Sequence, residues 1–530
     1  MPTFDLLLRG GFVLDGTGGP GRHADVGVLD GRIAAVLPAT ADATAAEVLD
    51  CAGLAVAPGF IDLHSHADLS ITHSPAAESC LRQGVTTLVT GNCGISPFPT
   101  VPDAPGSQGG GASASGPWPD FGAFAAAVEA SGPAVNIAAL VGHGALRGAA
   151  VGAERRKATG EEVARMRRLL AEAVHQGVFG LSTGLVYAPG SFADAGEITA
   201  LAAEARQHGL LYSTHMRDEG DRLIEAVEEA LNTAESTGVR LQISHLKAMA
   251  PANHGKVREA LRLIDAARAE GLDVACDVYP YTASSTWLTA RLPDWAMDGG
   301  PQALLGRLRD PQARQAIAAD LRARAGRTFR PEATVLATMP EGRYSRWTGE
   351  TLQRLADAEG IDPAEAVLAV LEAHRADVVI VNHAMAQDDV DTVLCHPTSA
   401  VVSDGWTLDV SVGGYHHPRN FGAFARALAL SRDRGLLRLP EVVRKMTALP
   451  AARLGLADRG VLTESARADL AVFDPERVAD TATYAAPLSY ATGVRHVVVN
   501  GRPVVRDSVV TGQRPGRVLR RVRTAASAAG

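Results

Sequence analysis

From about Pro58 to Leu456 the chain alternates short apolar runs with longer segments of helical period, and this alternation admits few folds. Val85–Thr90, Val135–Val141 and Leu210–Thr214 read as buried parallel strands. Leu241–Ser244, Val274–Val278 and Val378–Val381 continue the series. Helical patterns such as Glu161 to His175 and Asp221 to Ser236 lie between them. About eight strand–helix units over this length predict an α/β fold, a (β/α)8 barrel of the TIM type. The pattern alone also fits a doubly wound open sheet.

The ends of the chain differ in style. Near the start, Phe4–Arg9, Phe12–Leu14 and Val26–Val36 alternate apolar and polar residues between Gly and Asp turns. Near the finish, Asp469–Asp474 and Val497–Arg506 do the same, with Asn500-Gly501 as a hairpin signal. Residues 1–57 and 457–530 are therefore expected to form one small β-sandwich domain. Residues 58–456 are expected to form the catalytic barrel, interrupted by an inserted subdomain at about 287–349 that begins near Trp287. The Gly/Ser/Pro-rich stretch Asp103 to Pro119 reads as a loop, and the basic tail Arg517 to Arg523 as solvated.

A net charge of -8 gives no electrostatic reason to expect nucleic acid or an anionic membrane as partner. Five widely spaced cysteines, an odd number, argue against a disulfide framework and for a reducing compartment. Cys51, Cys80, Cys276 and Cys395 read as small buried residues. The N-terminus lacks a basic segment followed by an apolar stretch, and no run long enough to span a membrane occurs. A soluble cytoplasmic protein is expected.

Candidate metal ligands sit where the strands end. His64 and His66 follow the run Ala55–Ile61 and, two apart on a strand, face the same way. Alone, such a pair is weak, since a turn with incidental histidines explains it as well. The pattern recurs, however: Cys93 follows Leu88–Asn92, His215 follows Leu211–Thr214, His245 follows Ile243-Ser244, and Asp404 closes Ala400–Ser403. In a barrel the C-terminal strand ends converge on one mouth. Four imidazoles, a thiolate and a carboxylate there make a ligand set for zinc, as one ion or two. His143 and His383 also stand at strand ends without a matching ligand role, whereas His254, His416 and His417 fall in loops, solvated or bracing them.

The chain resembles the N-acyl-D-amino-acid deacylases (D-aminoacylases) of the amidohydrolase superfamily along nearly its whole length. The carriers are Pro58–Asp68, Gly91-Asn-Cys-Gly94, Gly180–Tyr187, Thr214-His-Met-Arg-Asp-Glu219, Ser244-His-Leu-Lys247, Tyr279–Thr286, Ser403-Asp-Gly405, His417–Phe424 and Arg444–Thr447. The resemblance implies a tight zinc on Cys93, His215 and His245. It implies a weaker second position on His64, His66 and Asp404, with the thiolate able to bridge. Many relatives bridge their metals with a carboxylated lysine, but Val178–Tyr187 contains none.

Zinc brings the pKa of a water towards neutrality and polarises an amide carbonyl. Asp404 is then the residue to take the water's proton and deliver it to the leaving amine; the ordinary alternative for it is a helix cap. The resemblance also implies that Lys247, a tyrosine and Arg419 hold the amino acid's α-carboxylate, with Tyr279 preferred to Tyr281 for its place at the strand end. Without it, Arg419 reads as an ordinary ion pair. The loop from Trp406 to His417 looks longer than in typical D-aminoacylases and should border the side-chain pocket. Trp287 and Trp406 lean towards hydrophobic or neutral side chains. The expected activity is zinc-dependent hydrolysis of N-acyl-D-amino acids, small-molecule substrates. The alternatives are a dipeptidase on D-containing dipeptides, a cyclic amidase of the hydantoinase or dihydropyrimidinase type, and a non-catalytic scaffold that lost its metal.

Overall fold

In the computed structural model, which describes residues 3–39, 42–100 and 118–521, eight parallel strands run in sequential order round a barrel. They are Phe60–Asp62, Val85–Thr90, Asn136–Gly142, Gly180–Gly184, Leu211–His215, Arg240–Ile243, Val274–Val278 and Ser399–Val401. The first and last meet through a parallel bridge between Ser65 and Gly405, which closes the ring at the mouth. Alternation along the strands divides two cores. Ile61, Val89, Leu140, Leu211 and Ala400 gather in one cluster, while Leu88, Ile137, Leu181, Tyr212 and Val278 join the larger one with the surrounding helices.

Local chemistry sets the helices. Thr159 and Glu162 form a reciprocal capping box at the start of the helix Gly160–Gln176, and Gly177 ends it in the left-handed conformation. This helix and Leu223–Thr237 match the sequence periodicity within two residues.

Val378–Val381 departs from its expected place. The strand Val379–His383 pairs antiparallel with Ala283–Trp287 and Thr334–Thr338 in a separate three-stranded sheet. Val378 and Ile380 enter one core and Val379 and Val381 another, so the run is apolar on both faces like a barrel strand. The eighth barrel strand is instead the short Ser399–Val401. A single core links Leu288 with Ile380, so the segment inserted between strands seven and eight packs as one body well past Gly349.

Both ends of the chain build a nine-stranded sheet. The central strand Ala55–Pro58 pairs with Thr3–Val13 on one side and Leu470–Phe473 on the other. Leu6, Val26, Val56, Leu470 and Val498 share one core. Asn500-Gly501 makes the expected hairpin turn, with φ of 49° and 79°. Among the described residues, the start of the basic tail is not merely solvated. Val518 is buried and bridges to Ile137, and Leu519 and Arg521 donate to the carbonyls of Ile137 and Gly177. Residues 103–117 of the Gly/Ser/Pro-rich stretch and 522–523 of the tail lie outside the described residues. All five cysteines are free, and Cys395 is exposed rather than buried. Among the described residues no helix is long and apolar enough to cross a membrane.

Candidate active site

The strand ends bring the expected ligands together at the mouth. Cys93 Sγ lies 3.3 Å from His64 Nε2 and 3.4 Å from His245 Nε2. Asp404 Oδ1 lies 3.4 Å from His64 Nε2 and 3.1 Å from His66 Nε2. His64, Cys93, His245 and Asp404 are buried, with donor atoms all within 4.8 Å of one another. His215 joins through His245, ring edge to ring face with centroids 4.4 Å apart.

Holding these groups strains the backbone. Cys93, His245 and Asp404 have φ of 54°, 34° and 51°, a region that Asp and His tolerate but Cys enters only under tertiary constraint. The constraints are visible. Asp404 N donates to His64 O at 2.8 Å across the barrel seam. Asp62 accepts from the amides of Ser403 and His64 and from the Ser403 hydroxyl; burial pushes it up to about 7. His245 N donates to Asp277 Oδ1 at 2.6 Å, and the same oxygen lies 3.4 Å from His64 Nδ1. Asp277 thus orients two ligand candidates.

Strand four packs directly against the Cys93 loop. A Cβ at Gly184 would fall well inside contact distance of Cys93 O, so the Cys93 loop fills the space a longer residue there would need. Ser182 Oγ accepts from Gly94 N at 3.0 Å and pins that loop.

The donors suit zinc: sulfur, imidazole and carboxylate in one buried cluster. The Nδ1 atoms of His64, His66 and His215 are buried without a hydrogen bond. Burial, with Lys247 and His215, takes His245 down to about 3, and burial lowers His215 too, so both are neutral and able to ligate. Burial and the Asp404 carboxylate raise the Cys93 thiol well up, so it becomes a thiolate only beside a bound cation. Burial alone would raise Asp404, but Arg419 and His64 outweigh it and hold the carboxyl well below its usual range.

A cavity of about 600 Å³ opens over the cluster, lined by His66, Cys93, His215, His245, Lys247, Tyr279, Asp404 and Arg419. Arg419 Nη1 pairs with Asp404 Oδ2 at 2.7 Å, and its Nη2 donates to Ser285 O at 3.3 Å. Its guanidinium carbon sits 4.8 Å from the centre of the Tyr279 ring, and Lys247 Nζ sits 5.7 Å from it. Tyr279 Oη is buried with no partner, whereas Tyr281 Oη donates to Asp480 at 3.3 Å. His417 braces Arg419: it donates from Nε2 to Ala283 O and accepts the Arg419 amide at Nδ1. His416 is also buried, held to Gly413 O. His143 is buried against Glu197 at 2.7 Å, away from the ligand cluster.

Glu219 is a site residue that the sequence reading did not single out, although it ends the quoted motif Thr214–Glu219. Its carboxylate lies 2.5 Å from Lys247 Nζ, 3.1 Å from His245 Nδ1 and 3.5 Å from His215 Nε2. Burial would raise it, but Lys247 and the two histidines hold it well below its usual range. His215, four residues earlier, is a local partner, but Lys247 and His245 come from the next strand end, and their pairing with Glu219 is not written in the local sequence.

Residues 47–505 match the amidohydrolase family, and the chain belongs to that family. It is 40% identical over 525 residues to a D-aminoacylase of Alcaligenes xylosoxydans xylosoxydans, covering 98% of each chain. It is 39% identical to an N-acyl-D-glutamate deacylase of the same organism, over 98% of this chain and 96% of that one. The crystal structure of an N-acyl-D-glutamate deacylase from Bordetella bronchiseptica, complexed with zinc and a phosphonate mimic of the tetrahedral intermediate, superposes with a TM-score of 0.84. That structure is 35% identical and covers 98% of this chain and 100% of its own.

Proposed function

We propose that this chain is a zinc-dependent hydrolase of the amide bond in N-acyl-D-amino acids, releasing a carboxylic acid and a D-amino acid. The observation that carries the reading is the buried thiol of Cys93 set between His64 and His245, with the Asp404 carboxylate alongside, at the floor of a cavity that also holds Lys247 and Arg419. The relatives supply the substrate class and its D-configuration, and they supply zinc.

Cys93, His215 and His245 would hold the tight zinc, and His64, His66 and Asp404 a weaker position. When bound, zinc supplies a Lewis acid that activates water and polarises the amide carbonyl. Asp404 is ionised, so it is ready to take a proton from the attacking water at Oδ1 and pass it to the departing nitrogen. The amine then leaves as a neutral molecule rather than as an anion. Lys247, Tyr279 and Arg419 hold the substrate's α-carboxylate; Tyr279 offers the unpartnered hydroxyl that Tyr281 lacks. Glu219 holds Lys247 and both histidines in place. The absence of lysine from Val178–Tyr187 disfavours the cyclic-amidase alternative, which relies on a lysine in that strand.

Residues 58–456 form the catalytic unit in this reading, and 1–57 with 457–530 the small β domain. A cytoplasmic location suits the five free thiols. A screen of N-acetyl D- and L-amino acids with zinc-replete protein tests the activity. Cleavage of D-isomers is expected, and cleavage of L-isomers alone overturns it.

A further inference from the structure

Residues 474–493 make a detour that the terminal sheet does not need. Leu470–Phe473 and Val494–Val499 are antiparallel neighbours, with Phe473 opposite Val494, and a tight hairpin could join them. A connection this long in a compact domain commonly carries function. This one leaves the sheet and brings Asp480 and Tyr484 up behind the wall of the substrate cavity. Neither residue lines the cavity itself.

Both residues hold the groups that fix Arg419. Tyr484 Oη accepts from Ala283 N at 3.0 Å, and Ala283 O accepts from His417 Nε2 at 2.9 Å. An amide N–H can only donate and a carbonyl can only accept. His417, which takes the Arg419 amide at Nδ1, is therefore the neutral tautomer with its proton on Nε2. Two residues beyond Ala283 on the same strand, Ser285 O receives Arg419 Nη2 at 3.3 Å. The His417 ring is clasped between Tyr281 and Tyr484, each edge-on with centroids 5.4 Å apart. Tyr281 is held in turn by Asp480, which accepts its hydroxyl at 3.3 Å and pairs with Arg426 at 3.1 Å. The approach is so close that a Cβ on Gly422 would sit 2.5 Å from Tyr281 Oη and 2.7 Å from Asp480 Cβ.

We propose that Tyr484 is a positioning residue for the α-carboxylate receptor: through Ala283 and His417 it fixes the plane of the Arg419 guanidinium. The C-terminal segment thereby governs how firmly the substrate's free acid end is held. The inference rests on the deacylase reading above. A guanidinium grips a carboxylate with both arms only when its planar fork is set in the right direction. Asp404 and Ser285 O take two of the N–H groups of Arg419, and the direction of the others follows from where His417 and the strand Ala283–Trp287 stand. Loosening Tyr484 weakens substrate binding and leaves the zinc ligands in place.

The test measures kcat and KM of the zinc-replete full-length protein on N-acetyl-D-leucine and N-acetyl-D-glutamate, and on the α-carboxamide of each, for the wild type, Tyr484→Phe and Tyr484→Ala. Tyr484→Phe lacks the bond to Ala283 but keeps the ring, and is expected to raise KM for the acids about 5-fold. Tyr484→Ala loses both, and is expected to raise it about 30-fold. The carboxamides lack the charge that Arg419 binds, so their KM, and kcat throughout, are expected to stay within about twofold of the wild type. Where a carboxamide is not turned over, its inhibition constant against the acid stands in for KM. A Tyr484→Ala protein of unchanged zinc content overturns the proposal if KM for the acids is unchanged, or if it rises equally for acids and carboxamides. A fall in kcat with KM unchanged also overturns it; each of these results leaves the deacylase reading intact. If Tyr484→Ala does not fold, Tyr484→Phe decides by the same comparison. Cleavage of neither acid by the wild type removes both readings.

Discussion

In the terminal β domain, Asp30 and Asn500 take φ of 51° and 49° in front of Gly31 and Gly501, where two-residue turns reverse the chain. At the barrel mouth, Cys93, His245 and Asp404 take φ of 54°, 34° and 51°. The first pair are residue types that tolerate the left-handed region, and the turns demand it. His245 and Asp404 share that tolerance, but Cys93 does not, and holding it there costs about 1–3 kcal/mol. What the mouth gains is aim: the same backbone twist that reverses a hairpin here points a thiol, an imidazole and a carboxylate at one centre. The β domain uses left-handed residues to shape the chain, and the mouth uses them to place side chains.

Substitutions at the mouth should therefore change chemistry, and those at the turns should barely register. Asp404→Asn removes the proposed proton acceptor while keeping its shape, and kcat/KM should fall about 1,000-fold with the melting temperature little changed. Retention of activity within about tenfold would show that another group moves the proton. Glu219→Gln should lower kcat/KM by about 10–100-fold, through both Lys247 and the two histidines. An effect on KM alone would restrict Glu219 to the lysine.

Away from both regions, Lys445 is buried against the carbonyls of His396 and Ser399, and burial lowers its pKa from 10.5 to about 8. The unfolded chain then holds this proton to higher pH than the folded one. Stability should rise as pH climbs from about 8 towards 10.5. Lys445→Met should flatten that rise, as read from melting temperatures across the range. The smallest effect belongs to the turns: Asp30→Gly relieves φ but adds chain entropy, and should shift stability by at most ~1 kcal/mol.

Much of this contrast was legible beforehand. The barrel, the two-ended β domain and all six ligand candidates follow from apolar runs that end in His, Cys or Asp, because a parallel strand's period and terminus are local properties. Val378–Val381 misled for a physical reason: a strand buried on both faces looks the same whether its neighbours run parallel or antiparallel. Asp62, Asp277 and Glu219 were invisible as site residues because partners of each lie on other strands, 341 residues away in the case of Asp62 and Ser403. The docking of Val518 and Leu519 on strand three is likewise a long-range pairing that a short basic tail does not announce.

The sharpest measurement is zinc content after dialysis, by elemental analysis, of the wild type, His66→Ala and Cys93→Ala. If the working zinc rests on Cys93, His215 and His245, the wild type and His66→Ala keep about one tightly bound ion, as a structural ligand set does, and Cys93→Ala loses it together with activity. A Cys93→Ala protein that keeps both its zinc and its activity contradicts the assignment.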